Sequence, residues 1–183
     1  MTTDDEKLLR QLRAGERDAF EHVVLLHYEC VWRQHFLVCG SRDTAADLTQ
    51  ETFVEAWRSL PTFGGRAALR TWLHTIAVRV WHRFLAKQPP APAFLDALET
   101  LPDRSAATPH QAAEHVLRAE TLSCALLRLP PAQREVLVLC YRQQLSHAEA
   151  ARALGVPVGT VKSRLHEGLK RLRRLLGPSE ELL

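Results

Sequence analysis

The stretch SHAEAARALGVPVGTVKSRLHEGLKRLRRLL, Ser146 to Leu176, decides the fold. Ser146-His147-Ala148-Glu149 has the pattern of a capping box: the Ser146 hydroxyl accepts from the backbone N–H of Glu149, and the Glu149 carboxylate reaches back to the N–H of Ser146. A short helix follows, with Ala148, Ala151 and Leu154 on one side. Gly155-Val156-Pro157 then breaks it, glycine suiting a left-handed helix end and proline the start of a new helix. The second helix aligns Val158, Val161, Leu165, Leu169, Leu172 and Leu176 in one stripe and sets Lys162, Ser163, His166, Lys170, Arg173 and Arg174 on the opposite face. A short helix, a tight turn containing glycine and a long helix with a basic outer face make a helix-turn-helix. Gly155 to Leu176 holds six Lys/Arg against one acid, Glu167. Such a local excess is what phosphate backbones attract. Lys162, Ser163 and His166 lie early on the second helix and are placed to reach base edges; Arg164, Lys170, Arg173 and Arg174 are placed for phosphates. Arg164 can instead pair with an upstream helix. A basic face on a helical hairpin can also be merely solvated, but here cap, turn and charge agree.

Outside this segment the apolar residues again recur at spacings of three and four, and strand signals are nearly absent. The expected fold is all-α. The helices fall near Asp5–Ala14, Glu16–Val38, Thr44–Leu60 and Ala67–Lys87, then Pro109–Arg128, Pro131–Gln143, His147–Leu154 and Val158–Leu176. Half of the ten prolines lie in Gln88–Ala113, a weakly acidic stretch without sustained periodicity. It reads as a flexible linker, with a short helical turn around Phe94–Leu98. The plan is therefore two small helical domains, neither with a large core, each able to gain stability from a partner.

With 183 residues, 46% of them hydrophobic, and a net charge of only +3, bulk composition marks a folded protein but not a nucleic-acid ligand. No apolar run approaches the ~18–20 residues of a membrane span, so direct membrane insertion is not expected. Met1-Thr2-Thr3-Asp4-Asp5-Glu6 is acidic and lacks the basic and apolar regions of a signal peptide, which points to the cytoplasm. Cys30, Cys39, Cys124 and Cys140 are scattered and read as reduced, mostly buried thiols.

In the N-terminal half, Thr44–Leu60 turns Ala45, Leu48, Phe53, Ala56 and Leu60 inward and presents Asp47, Gln50, Glu51, Glu55 and Arg58 outward. That acidic surface is either solvated or a docking face for a basic partner. The next segment has the opposite sign: Arg66, Arg70, Arg79, Arg83 and Lys87, with no acid from Arg66 to Lys87. Phe63, Trp72, Trp81 and Phe84 are interleaved with these charges. Basic groups with flat rings suit single-stranded nucleic acid, although each ring can equally be core.

The residues at this point carry a family resemblance. DLTQETFVEAWRSLPTFGGRAALRTWLHTIAVRV, Asp47 to Val80, resembles region 2 of bacterial RNA polymerase sigma factors of the extracytoplasmic-function group, within the sigma-70 family. LPPAQREVLVLCYRQQLSHAEAARALGVPVGTVKSRLHEGLKRLR, Leu129 to Arg173, resembles their region 4. The resemblance implies a region 2 domain over 1–87, a linker over 88–113, a region 4 domain over 114–177 and a tail over 178–183. It implies a protein that binds core RNA polymerase and directs it to promoters, without a catalytic residue, metal or cofactor of its own. Asp47, Gln50 and Glu51 would dock on polymerase. Arg70, Trp72, Arg79, Trp81 and Arg83 would meet the opened −10 strand, and Lys162, Ser163, Arg164, His166 and Lys170 the −35 duplex. An anti-sigma factor, frequently membrane-anchored in the family, is the expected regulator.

The chain departs from the family pattern at three positions. Arg79 stands where Asn often reads a flipped −10 base, and Arg cannot mimic the amide pattern. Arg83 stands where an acidic or polar residue is common. Glu167 replaces a common basic residue; it can accept from cytosine N4 or pair with Lys170 or Arg171. Two other functions compete. A stand-alone helix-turn-helix regulator would bind duplex without polymerase, usually as a dimer, but no long self-complementary seam is evident. A metal protein would use His27, Cys30, His35 and Cys39, yet on a helix Cys30 points away from His35 and Cys39, and no second ligand pair follows.

Overall fold

Helix α1, Arg17–Cys39, ends because Gly40 takes a left-handed conformation (φ 76°) and returns its N–H to the carbonyl of Phe36. Ser41 then caps α2, Arg42–Ser59, by accepting from the N–H of Thr44 at 3.3 Å. A 3-10 turn, Leu60–Thr62, leads towards α3, Leu69–Lys87. In the second half, helical residues 121–127 precede α4, Pro131–Leu137, which passes into one π-helical turn, Val138–Arg142. The helix-turn-helix follows as α5, His147–Leu154, and α6, Val158–Leu176. This computed structural model describes residues 10–12, 14, 16–65, 68–88 and 121–177. The all-α expectation holds for them. The linker from 89 onward, the helical turn near 94–98, Arg66 and most of the first expected helix lie outside the described residues.

Two details depart from the periodic reading. The helix expected over Pro131–Gln143 is not α-helical throughout: its last turn widens, with the N–H of Gln143 donating to the carbonyl of Val138 at 2.9 Å. The wide turn aims the buried Gln143 across to α1, where its amide donates to the carbonyl of Cys30 at 3.2 Å. The cysteines are free thiols, but only Cys39 is buried; the others are partly exposed.

The two helical halves also pack against each other, sharing one hydrophobic core. Val31, Leu48, Ile76 and Val80 from the first half join Leu126, Val136, Leu139 and Leu154 from the second. Gly40 marks the closeness: a Cβ there would sit 3.2 Å from the Leu127 side chain. Inside the second half, a Cβ on Gly168 would meet Leu137 at 3.0 Å, so α6 crosses α4 where only glycine fits without adjustment. Each half alone is too small to bury much apolar surface, and docking the two raises the buried fraction.

The first half also buries two histidines. Thr52 donates its hydroxyl proton to the carbonyl of Leu48 at 2.7 Å, so it can only accept from His35, whose Nε2 lies 2.9 Å away. Likewise the Gln34 amide oxygen must accept from His74 Nδ1. Both rings are therefore neutral, and the second nitrogen of each is buried without a partner among the described residues. Burial holds both imidazoles down at about 3, against an ordinary 6.5.

Candidate nucleic-acid interface

The helix-turn-helix is built as its local sequence dictates. The Ser146 hydroxyl accepts from the N–H of Glu149 at 3.3 Å, while the N–H of Ser146 donates to the Glu149 carboxylate at 2.9 Å. Gly155 closes α5 in the left-handed conformation (φ 65°) and Pro157 precedes the first turn of α6. Val161, Leu165, Gly168 and Leu172 are buried, whereas the expected stripe members Val158, Leu169 and Leu176 are not. Replacing Ser146 by Ala removes half the capping box, and we expect a stability loss of about 1 kcal/mol, read as a lower thermal midpoint.

Lys162, Ser163, His166 and Lys170 are exposed together on the outer face of α6, with Arg173 and Arg174 beyond them. The Ser163 hydroxyl donates to the carbonyl of Thr160 at 3.0 Å, which leaves its lone pairs outward. Arg164 differs from its neighbours. It is half-buried, and its charge reaches His82 on α3 and opposes protonation there. Glu167 is exposed and forms no ion pair among the described residues.

The residues expected at the −10 strand are split by the fold. Arg79 is exposed on α3, and Trp72 is half-buried, its ring 4.6 Å from that of Phe63. Arg70 is half-buried beside His27 and His74, and its charge lowers the pKa of both. Arg83 turns to α2, donating to Glu51 at 3.0 Å and to Glu55. Trp81 is 5% exposed, stacked on Phe84 and pressed into the seam between the halves. There its indole N–H donates to Glu135 of α4 at 2.8 Å, and the other oxygen of Glu135 lies 3.1 Å from His82 Nε2. That hydrogen bond, against partial desolvation, raises the His82 pKa above its ordinary value. Glu149 also joins the seam, accepting from the Thr71 hydroxyl at 3.1 Å. Nothing in the periodicity of α4 sets Glu135 apart, so the sequence reading passed over it.

On α2, Asp47, Gln50 and Glu51 are exposed. Beside them runs an apolar groove lined by Phe20, Phe53, Val54 and Trp57, with Arg17 and Glu21 at its rim. This groove leaves no mark in the sequence, because Phe20 and Trp57 fit a helical core stripe equally well. His35, one member of the histidine–cysteine group on α1, is spent on Thr52.

The sequence pattern of the family described as "Sigma-70 region 2" matches residues 23–89, and that of "Sigma-70, region 4" matches residues 119–172. The chain is 31% identical to the ECF RNA polymerase sigma factor SigW of Bacillus subtilis over 180 residues, covering 93% of this chain and 96% of that protein. It is 35% identical to the ECF RNA polymerase sigma factor SigM of Mycobacterium tuberculosis over 176 residues, covering 94% of this chain and 85% of that one. The sigma factor RpoE of Bartonella quintana, solved with the anti-sigma factor NepR, has the same fold: TM-score 0.70 at 23% identity, over 88% of this chain and 98% of that one.

Proposed function

The chain belongs to the extracytoplasmic-function RNA polymerase sigma factors, and from that membership we propose how its surfaces divide the work of initiation. As a sigma factor it directs promoter-specific transcription initiation with core RNA polymerase. The observation that carries this is the match to both regions, in order, along one chain.

Polymerase docks on α2 through Asp47, Gln50 and Glu51, and the neighbouring apolar groove adds buried area. Acidic groups ringing an apolar strip suit a basic helical partner. In the free chain Arg83 also braces this face by holding Glu51 and Glu55. The −10 strand is taken by Arg70, Trp72, Arg79, Trp81 and Arg83. The −35 duplex is read by Lys162, Ser163 and His166, with Lys170 and Arg164 on phosphates. The region 2 domain spans 1–87 and the region 4 domain 114–177, around a linker over 88–113. The chemistry of RNA synthesis is polymerase's; this chain supplies binding energy that favours strand opening.

Among the described residues no helix is long and apolar enough to cross a membrane. We place the protein with polymerase in the cytoplasm. An anti-sigma factor is the proposed regulator, as for the structurally similar RpoE, which was captured with one.

The two lysines of α6 separate the roles there. Lys170→Ala should weaken promoter binding evenly across sequences and lower the slope of log affinity against log salt by about 0.9. Lys162→Ala should cost about 1–3 kcal/mol and relax preference at one base pair. Competition binding of holoenzyme to −35 variants at several salt concentrations checks both. A gel shift with and without core polymerase tests the proposal against a stand-alone regulator. We expect specific promoter binding only with polymerase; tight, specific binding by the free chain would overturn it.

A further inference from the structure

The outer face of α6 carries a single acid among its cations, Glu167. It lies one turn after Ser163 and one turn before Lys170 and Arg171, and all four are exposed. Spacings of three and four put both cations within reach of it. Exposed pairs of that kind do form on α1, between Arg17 and Glu21 and between Arg33 and Glu29. Glu167 makes none among the described residues. Ser163 complements it. The Ser163 hydroxyl gives its proton to the carbonyl of Thr160 at 3.0 Å. A hydroxyl whose proton is spent can only accept, and so can a carboxylate. Ser163 and Glu167 therefore make a pair of acceptors, with Cβ atoms about 5–6 Å apart, bracketed along the helix by the donors Lys162 and Lys170.

Against a phosphate such a carboxylate meets like charge and loses affinity on every sequence. In the major groove the donors are the amino groups of cytosine N4 and adenine N6. Adenine sets the N7 lone pair beside its amino group, which repels a carboxylate, whereas cytosine presents the amino group alone. We propose that Glu167 is a specificity-determining residue: its carboxylate accepts from N4 of a cytosine, so one base pair of the −35 element is read by an acid and not by a cation. The proposal rests on the reading of α6 as the −35 helix. A merely solvated acid differs from it in sign. Beside DNA a solvated acid only repels, so its removal tightens binding to all sequences alike. An acid that reads cytosine holds its own site, so its removal weakens that site and flattens the choice of base.

The test uses holoenzyme, unsubstituted or carrying Glu167→Ala or Glu167→Gln, to select from a pool of promoter duplexes whose −35 segment is randomised. The bound and input pools are sequenced, and circular dichroism of the free chains checks that helix content is unchanged, as expected for an exposed position. The unsubstituted holoenzyme should enrich cytosine at one position. Glu167→Ala should lose the preference at that position alone, leaving the four bases within about twofold, and should bind the cytosine duplex about tenfold more weakly. Glu167→Gln should move the preference there towards adenine, whose N6 and N7 match the acceptor and donor of an amide. Unchanged preferences in Glu167→Ala, tighter binding to all sequences alike, or loss of a preference for a base other than cytosine would each overturn the assignment while leaving α6 as the −35 helix. No base preference anywhere in the segment with unsubstituted holoenzyme would overturn the −35 reading of α6, and the proposal with it.

Discussion

Asp47→Lys combined with Glu51→Lys should weaken binding to core RNA polymerase about a hundredfold, equivalent to about 2.7 kcal/mol. Both residues are exposed on α2, beside the groove formed by Phe20, Phe53, Val54 and Trp57. Reversing them places like charges against a basic partner at the edge of an apolar contact, and such like-charge juxtaposition costs several kcal/mol, less as water reaches it. The local fold should survive, because Arg83 keeps Glu55 when Glu51 is changed. The readout is competition for polymerase against a labelled unsubstituted chain, with helix content as the control. An affinity within threefold of the unsubstituted chain would move the docking surface elsewhere.

Mild acid should destabilise the protein before ordinary carboxylates are protonated. His35 and His74 are held down at about 3, while in the unfolded chain they titrate near the ordinary 6.5. Between these values the unfolded chain binds more protons, so stability rises with pH across the window and falls as pH drops from 6.5 towards 3. At pH 5 each ring costs about 2 kcal/mol, and the two together about 4 kcal/mol. His27, also lowered, adds in the same direction. His82 is raised and about half exposed, so it offsets a small part. A new N–H on His35 Nδ1 or His74 Nε2 would find no acceptor among the described residues. Urea unfolding at pH 7.5 and pH 5, at one ionic strength, measures this. A midpoint unchanged between those conditions would contradict the neutral-ring assignment.

The helix-turn-helix was legible because its determinants are local: Ser146, Glu149, Gly155 and Pro157 lie within a dozen residues and each acts on its immediate backbone. The exposure of Asp47, Gln50 and Glu51 was legible for the same reason, since a helical period fixes which side faces out. What sequence could not reveal depends on distant partners. Trp81 and Glu135 are 54 positions apart, and Thr71 and Glu149 are 78 apart. Neither pair disturbs the pattern of its own helix. Arg83 has the spacing of a basic face shared with Arg79 and Lys87, but two acids of α2 draw it away. The widened turn at Val138–Arg142 likewise has no local signature, and it is what sends Gln143 across the seam.

Run-off transcription with core polymerase on genomic fragments, with and without this protein, tests the central claim most directly. The sigma-factor account predicts new, discrete start sites that appear only when the protein is added, that share upstream −35 and −10 elements, and that disappear with Asp47→Lys/Glu51→Lys. Start sites and transcript levels unchanged by the protein would contradict it.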